Sequence, residues 1–267
     1  MLKVIVCGAA GKMGRRICSI VLEDENLELA GAVEAKGSKF VGKDIGLVCS
    51  SEPVNLNIVD DLGAVIDKGN VVIDFTTPEA TVEHVRVAAD KDKPIVIGTT
   101  GLNGEQVKEI EKFSAIVPIV FAPNMSLGVN ILFKLVGDIA RVLGESYDVE
   151  IVEMHHRYKV DAPSGTALKL AEYAAEGLGV NLEEAGVFGR KGRIGERKPK
   201  EIGVMSLRGG DVVGEHTVIF AGLGERIELT HRASSRDTFA RGAIKAARWV
   251  VDKVPGLYSM LDVLGLK

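Results

Sequence analysis

Residues 2–122 alternate short β-branched runs with amphipathic segments, and this alternation restricts the fold more than any other feature of the chain. "LKVIVCG" (2–8), "LELAGAVE" (27–34), "NVVIDF" (70–75), "PIVIG" (94–98) and "IVPIVFA" (116–122) read as strands. Between them, "KMGRRICSIVLED" (12–24), "PEATVEHVRVAADK" (78–91) and "NGEQVKEIEKF" (103–113) carry apolar residues at helical spacing. Near-continuously apolar strands joined through helices need cover on both faces, which predicts an α/β fold around a parallel sheet.

Past residue 126 the pattern changes. "GVNILFKLVGDIARVL" (128–143) predicts a long helix, "YDVEIVEMHH" (147–156) a strand and "GTALKLAEYAAEGL" (165–178) a second helix, while the Gly-, Lys- and Arg-rich stretch 181–200 reads as an exposed loop. "EIGVMSLRG", "EHTVIFAG" and "ERIELTHRA" then follow with only short glycine-bearing turns, which predicts an antiparallel meander in a separate sheet. "RDTFARGAIKAARWVVDKV" (236–254) returns to a helix. A length of 267 residues suits two domains: residues 1–127 with 235–267, and residues 128–234 as a mixed α/β domain.

The first strand runs into Gly8, Gly11 and Gly14, spaced by three, before the first helix. Gly8 permits a tight turn, Gly11 lets the backbone approach a pyrophosphate, and Gly14 lets the helix pack closely, while the helix start offers free N–H groups to phosphate. Such a triplet also serves as a plain structural turn. Its place directly after the first strand, and Glu34 twenty residues past Gly14 where a carboxylate can bind ribose hydroxyls, point to a dinucleotide. Glu34 favours the free 2′-hydroxyl of NADH, but Lys12, Arg15, Arg16 and Lys36 stand near enough in sequence to offset it, so NADH and NADPH both stay open. "IGTTG" (97–101) and "FAPNMS" (121–126) fall at strand ends, where they either line the nicotinamide or serve as ordinary loop chemistry.

A formal net charge of −4 supplies no basic field for nucleic acid or an anionic membrane surface, so an anionic ligand needs a local site. The three cysteines show no CxxC spacing, no run approaches 18 unbroken apolar residues, and "MLKVIVCG" is unlike a signal peptide. These features predict a soluble cytoplasmic protein in a reducing compartment.

"EMHHRYKVDAPSGTA" (153–167) carries the densest chemistry. Adjacent histidines cannot both face one ion from a regular element and no H-x-x-x-H pair exists, so no metal site is predicted. A solvated charge run would not explain the apolar "VEIVEM" leading in. A histidine can donate or accept a proton near neutral pH, and His155 and Lys159 can converge whether the segment stays extended or turns helical. Ser164 can cap the helix that follows, and the N–H groups of Gly165 and Thr166 at its start can bind a carboxylate.

These residues together resemble the dihydrodipicolinate reductase family. The likeness is carried by "GAAGKMG", Glu34, "DFTTPEA", "GTTG", "FAPNMSLGVN" and above all "HHRYKVDAPSGTA", and it runs almost end to end. The resemblance implies a Rossmann-type dinucleotide-binding domain plus a mixed α/β substrate-binding domain, through whose sheet the chain forms a homotetramer. It implies reduction of 4-hydroxy-tetrahydrodipicolinate, a small dicarboxylate, by NADH or NADPH. His155 would be the general acid and base, Lys159 a second proton donor, His156 a substrate contact, and Gly165 with Thr166 the binder of a substrate carboxylate. Gly8, Ala9, Ala10, Gly11, Lys12, Met13, Glu34, Gly98, Thr99, Thr100, Ala122, Pro123, Asn124 and Met125 would line the cofactor. The chain departs from the family pattern at Ala35, where many members carry an arginine for the 2′-phosphate, and at Pro123 and Met125.

Overall fold

A computed structural model describes residues 1–267. The chain opens with β1 (Leu2–Cys7), α1 (Lys12–Glu23), β2 (Leu27–Val33), a short α2 (Ile45–Val48), β3 (Val71–Asp74), α3 (Pro78–Asp90), β4 (Ile95–Ile97), α4 (Gly104–Phe113) and β5 (Pro118–Phe121). It continues with α5 (Leu127–Leu143), β6 (Asp148–His155), α6 (Gly165–Leu178), α7 (Leu182–Ala185), β7 (Gly186–Val187), β8 (Ile202–Arg208), β9 (Gly214–Ala221) and β10 (Arg226–Ala233). It closes with α8 (Asp237–Val250), β11 (Gly256–Tyr258) and α9 (Met260–Leu264). Two compact units result, Met1–Leu127 with Asp237–Lys267, and Gly128–Arg236.

The first unit holds a six-stranded sheet in the order β11-β5-β4-β3-β1-β2, with every pairing parallel. Alternate residues of its strands feed two cores. Val4, Val6, Ile73, Val96 and Val120 pack with α1 and α8, while Ile5, Val72, Ile95, Ile97 and Ile119 pack with α3 and α4. Each such side chain, wholly removed from water, contributes about 1.5–3 kcal/mol, so the two-sided covering of this sheet is the unit's main source of stability. The helix starts are marked locally: the Thr77 hydroxyl accepts from the Ala80 N–H ahead of Pro78, and Asn103 with Gln106 forms a capping box. The α/β class read from the alternation is therefore borne out. β11 and α9 were not foreseen, because three and five residues are too few to show a period.

The second unit holds a five-stranded mixed sheet in the order β10-β9-β6-β8-β7. β9 pairs antiparallel with β10 and with β6, but β8 pairs parallel with β6. The expected meander of three consecutive strands is thus corrected: β6 lies between β8 and β9. The connection from β8 to β9 is as short as a hairpin loop, yet it steps over the end of β6 and bonds to it. The Gly209 N–H donates to the His155 carbonyl (2.9 Å), the His156 N–H to the Val212 carbonyl (2.7 Å) and the Arg157 N–H to the Gly210 carbonyl (3.2 Å). The stretch read as a loop at 181–200 contains α7 and β7, and β7 extends the sheet beyond β8. α5 and α6 cover one face through Val129, Phe133, Val136, Leu170 and Ala174, packed on Val149, Ile151, Val204 and Phe220. No helix is long and apolar enough to cross a membrane.

Candidate active site

In the first sheet the register aligns Cys7, Asp74, Ile97 and Phe121 at the carboxyl ends of β1, β3, β4 and β5. β1 lies between β2 and β3, so the chain reverses its direction of travel across the sheet there, which is where open parallel sheets bind ligands. Gly8 leaves β1 with φ +75°, and a Cβ on it would sit 2.3 Å from the Phe75 carbonyl oxygen. A Cβ on Gly14 would sit 2.0 Å from the Gly8 carbonyl oxygen, so only glycine lets α1 lie against the turn. Gly11 begins α1 with no side-chain cap. Beside this loop opens a cavity of about 530 Å³ whose wall includes Gly8, Gly11, Glu34, Lys36, Thr76 and His84. Glu34 accepts the Ala10 N–H on Oε2 (2.9 Å) and the Ala35 N–H on Oε1 (3.0 Å), which holds its carboxylate at the glycine loop. A floor without side chains, uncapped N–H groups at a helix start and a carboxylate on the wall fit a dinucleotide.

The other residues expected around the cofactor are distributed differently. Ala9 and Ala10 are buried behind the loop, Lys12 is exposed and Met13 packs against the core. Gly98 stands beside Phe75, and a Cβ there would meet the ring at 2.2 Å. Thr99, Ala122 and Met125 are buried, Thr100 and Pro123 are exposed, and Asn124 is half-buried. Met125 packs its carbonyl where a Cβ on Gly242 would fall. Thr99 belongs to a polar cluster that sequence reasoning missed. Its hydroxyl and those of Thr76 and Thr81 donate to Asp74 Oδ1 at 2.8–2.9 Å, and Asp74 Oδ2 meets His84 Nδ1 at 2.5 Å. Cys7 stands with Asp74 and His84, their ligating atoms within 4.8 Å of one another, and burial, then the Asp74 charge, pushes its thiol pKa up. The available signal was a polar "DFTT" closing an apolar strand.

In the second unit β6 ends at His155, and the residues after it form a turn, neither the extended nor the helical continuation considered above. The Lys159 N–H donates to the His156 carbonyl (3.1 Å), and Lys159 Nζ pairs with both Asp161 carboxylate oxygens at 2.8 Å. Lys159 is still close enough for its charge to lower His155 and His216. His156 keeps Nδ1 buried with no hydrogen-bond partner. Ser164 caps α6 by accepting the Ala167 N–H (3.2 Å), leaving Gly165 and Thr166 in its first turn.

Three further residues meet here that sequence reasoning did not single out. Glu153 is fully buried and accepts from His155 Nδ1 (2.6 Å), the Ser164 N–H (3.1 Å) and Arg208 Nη1 (2.9 Å). Burial alone would raise its carboxyl pKa, but bonds from His155, Ser206, Arg208 and Ser164 hold it below the usual range. His155 is lowered chiefly by burial, with Glu153 pulling it back up. His216 lies 3.1 Å from the Ser164 hydroxyl and edge-on to His155, and burial lowers its pKa to about 3, so it stays neutral.

Residues 2–125 match the family described as dihydrodipicolinate reductase, N-terminus, and residues 128–264 match dihydrodipicolinate reductase, C-terminus. The chain is 55% identical over 267 residues to the 4-hydroxy-tetrahydrodipicolinate reductase of Syntrophobacter fumaroxidans, covering 100% of both chains. It is 56% identical, with the same coverage, to the enzyme of that name from Syntrophus aciditrophicus. Among solved structures it is similar to a dipicolinate-bound dihydrodipicolinate reductase from Paenisporosarcina sp. TG-14, at 27% identity and a TM-score of 0.75 over 98% of each chain.

Proposed function

The chain belongs to the dihydrodipicolinate reductase family, and from that membership we propose how its residues carry out the family's reaction. It is an oxidoreductase of lysine and diaminopimelate biosynthesis that reduces 4-hydroxy-tetrahydrodipicolinate to tetrahydrodipicolinate with loss of water, using a nicotinamide dinucleotide. The observation that carries the assignment of roles is the meeting, within one unit, of His155 at the end of β6 and the first turn of α6, both held by Glu153.

In this reading one substrate carboxylate sits on the N–H groups of Gly165 and Thr166, where the helix dipole favours an anion, and His156 contacts the same ligand. The free His155 titrates below its ordinary value. A dianion placed beside it raises that value, so substrate binding itself loads the proton. His155 then donates to the departing hydroxyl and, as the neutral imidazole, takes the proton lost from the adjacent ring carbon, so that water leaves and the conjugated imine formed accepts a hydride at C4. Lys159 supplies the second proton, released from Asp161 as substrate competes for its ammonium. The bound nicotinamide supplies the hydride, and the glycine loop with Glu34 holds the dinucleotide.

We propose that both NADH and NADPH serve, with NADH used more efficiently. Ala35 offers no guanidinium, and Glu34, Asp60 and Asp61 on the cavity wall oppose a 2′-phosphate that Lys36 alone would hold. We also read the enzyme as a cytoplasmic homotetramer assembled through the second sheet. Ile227 on the edge strand β10 and Leu223 before it are exposed and apolar, in support of an interface, and light scattering in solution decides the mass. The test of function is nicotinamide absorbance with substrate generated from pyruvate and aspartate semialdehyde. Oxidation is expected with either dinucleotide, at higher kcat/KM for NADH. No oxidation with either would refute the activity, and a higher kcat/KM for NADPH the preference.

A further inference from the structure

β6 is the central strand of its sheet, and strand alternation puts Val149, Ile151, Glu153 and His155 on one face. The first two residues fill the core under α5 and α6, and Glu153 follows them in with no exposure at all. A carboxylate without water must be satisfied by protein groups or it is strongly destabilising. Arg208 Nη1 reaches both oxygens at 2.9 Å and would suffice to balance the charge. The remaining bonds do something else: Oε1 takes the Ser164 N–H, at the cap of the helix to whose first turn the proposed function assigns the substrate carboxylate, and Oε2 takes His155 Nδ1.

We infer that Glu153 is a positioning residue for both halves of the site: it fixes Nε2 of His155 as the nitrogen that gains and loses the catalytic proton, and it anchors the turn that binds the substrate carboxylate. An ionised carboxylate only accepts hydrogen bonds, so Nδ1 of His155 carries a hydrogen in both protonation states. Nε2 is then the one site left to titrate. A Cβ on Gly214 would come within 3.0 Å of that atom, so the glycine on β9 keeps it clear. The charged or titratable groups facing His155 are Glu153, Arg208 on β8, His216 on β9 and Lys159 in the turn, and of these Glu153 alone favours the imidazolium.

The inference rests on His155 being the acid of the site, and the experiment separates the two. In Glu153→Gln the amide can still accept from Ser164 but turns its N–H toward Nδ1, which forces the opposite tautomer. A general acid must be protonated, so kcat/KM falls as pH rises through the His155 pKa, and loss of the carboxylate moves that limb to lower pH. The expected result is a shift of about one pH unit, a fall in kcat of about 10²-fold, and an unchanged Kd for NADH. Combined with His155→Gln, the change should add no further loss, because both act on one proton transfer. An unmoved limb, or losses that multiply in the double variant, would overturn the inference. Wild-type turnover in His155→Gln would instead overturn the reading beneath it. Should Glu153→Gln fail to fold, ¹⁵N NMR of histidine-labelled wild-type enzyme decides: neutral His155 is expected with Nδ1 protonated, and the Nε2-protonated tautomer refutes the role.

Discussion

Asp74 closes β3 without any exposure, and its replacement is a direct test of how the carboxyl ends of the strands in the first sheet are held. In Asp74→Ala the hydroxyls of Thr76, Thr81 and Thr99 and the ring of His84 lose their shared acceptor. The hydroxyls can partly re-pair, since Thr81 lies 2.8 Å from Thr99 and 3.2 Å from Thr76. About two buried donors are then left unsatisfied, together with a cavity, for a cost of about 3–5 kcal/mol. At about 2–4 °C per kcal/mol for a unit of this size, the unfolding midpoint falls by about 6–20 °C. Asp74→Asn retains an oxygen for the hydroxyls and offers an N–H to His84, whose other tautomer can accept it. Its cost is about 1–2 kcal/mol, or about 2–8 °C. Thermal unfolding followed by circular dichroism, with and without NADH, measures both. A loss below about 0.5 kcal/mol in the alanine variant, or equal damage in the two, would refute the reasoning.

Two other outcomes follow from the second unit. Thr166→Val keeps the backbone N–H but removes the hydroxyl beside it, which we propose also donates to the bound carboxylate, so KM for the dicarboxylate should rise by about 10–100-fold, the worth of one hydrogen bond to a charged group, with kcat little changed; an unchanged KM would refute the part given to the hydroxyl. His216 is held neutral with a pKa of about 3, so the unfolded chain binds a proton below about pH 6.5 that the folded chain refuses. Its contribution to stability is thus full above about pH 6.5 and declines as pH falls toward 3. Urea unfolding should show the wild type losing about 3 kcal/mol relative to His216→Gln between pH 7 and 4, and parallel curves for the two would sink the claim.

The first sheet was legible because a strand buried on both faces admits almost nothing but apolar residues, so Val4–Cys7, Val71–Ile73 and Ile95–Ile97 announce themselves. The order of strands in the second sheet was not. A short glycine-bearing connection between β8 and β9 has the same local signature whether the two strands pair or another strand separates them, and only the bonds from Gly209, His156 and Arg157 show which holds. The same limit applies to Thr99 and Met125, whose strings mark a strand end without saying that their side chains turn into the protein.

Glu153 shows where that boundary falls. In "VEIVEM" both glutamates look like the polar face of a half-buried strand, yet they differ by three positions and therefore point to opposite faces. Parity with Val149 and Ile151 already assigns Glu153, and with it His155, to the buried face, while Glu150 turns outward to Arg190 and Arg197. A buried carboxylate beside a histidine is thus readable from one strand. What makes it tolerable is not, because Arg208 lies 55 residues further along and arrives only through the parallel pairing of β6 with β8, the pairing that the local pattern hid. The histidine and its carboxylate partner can be read from one strand, and the charge that holds them in place depends on the topology.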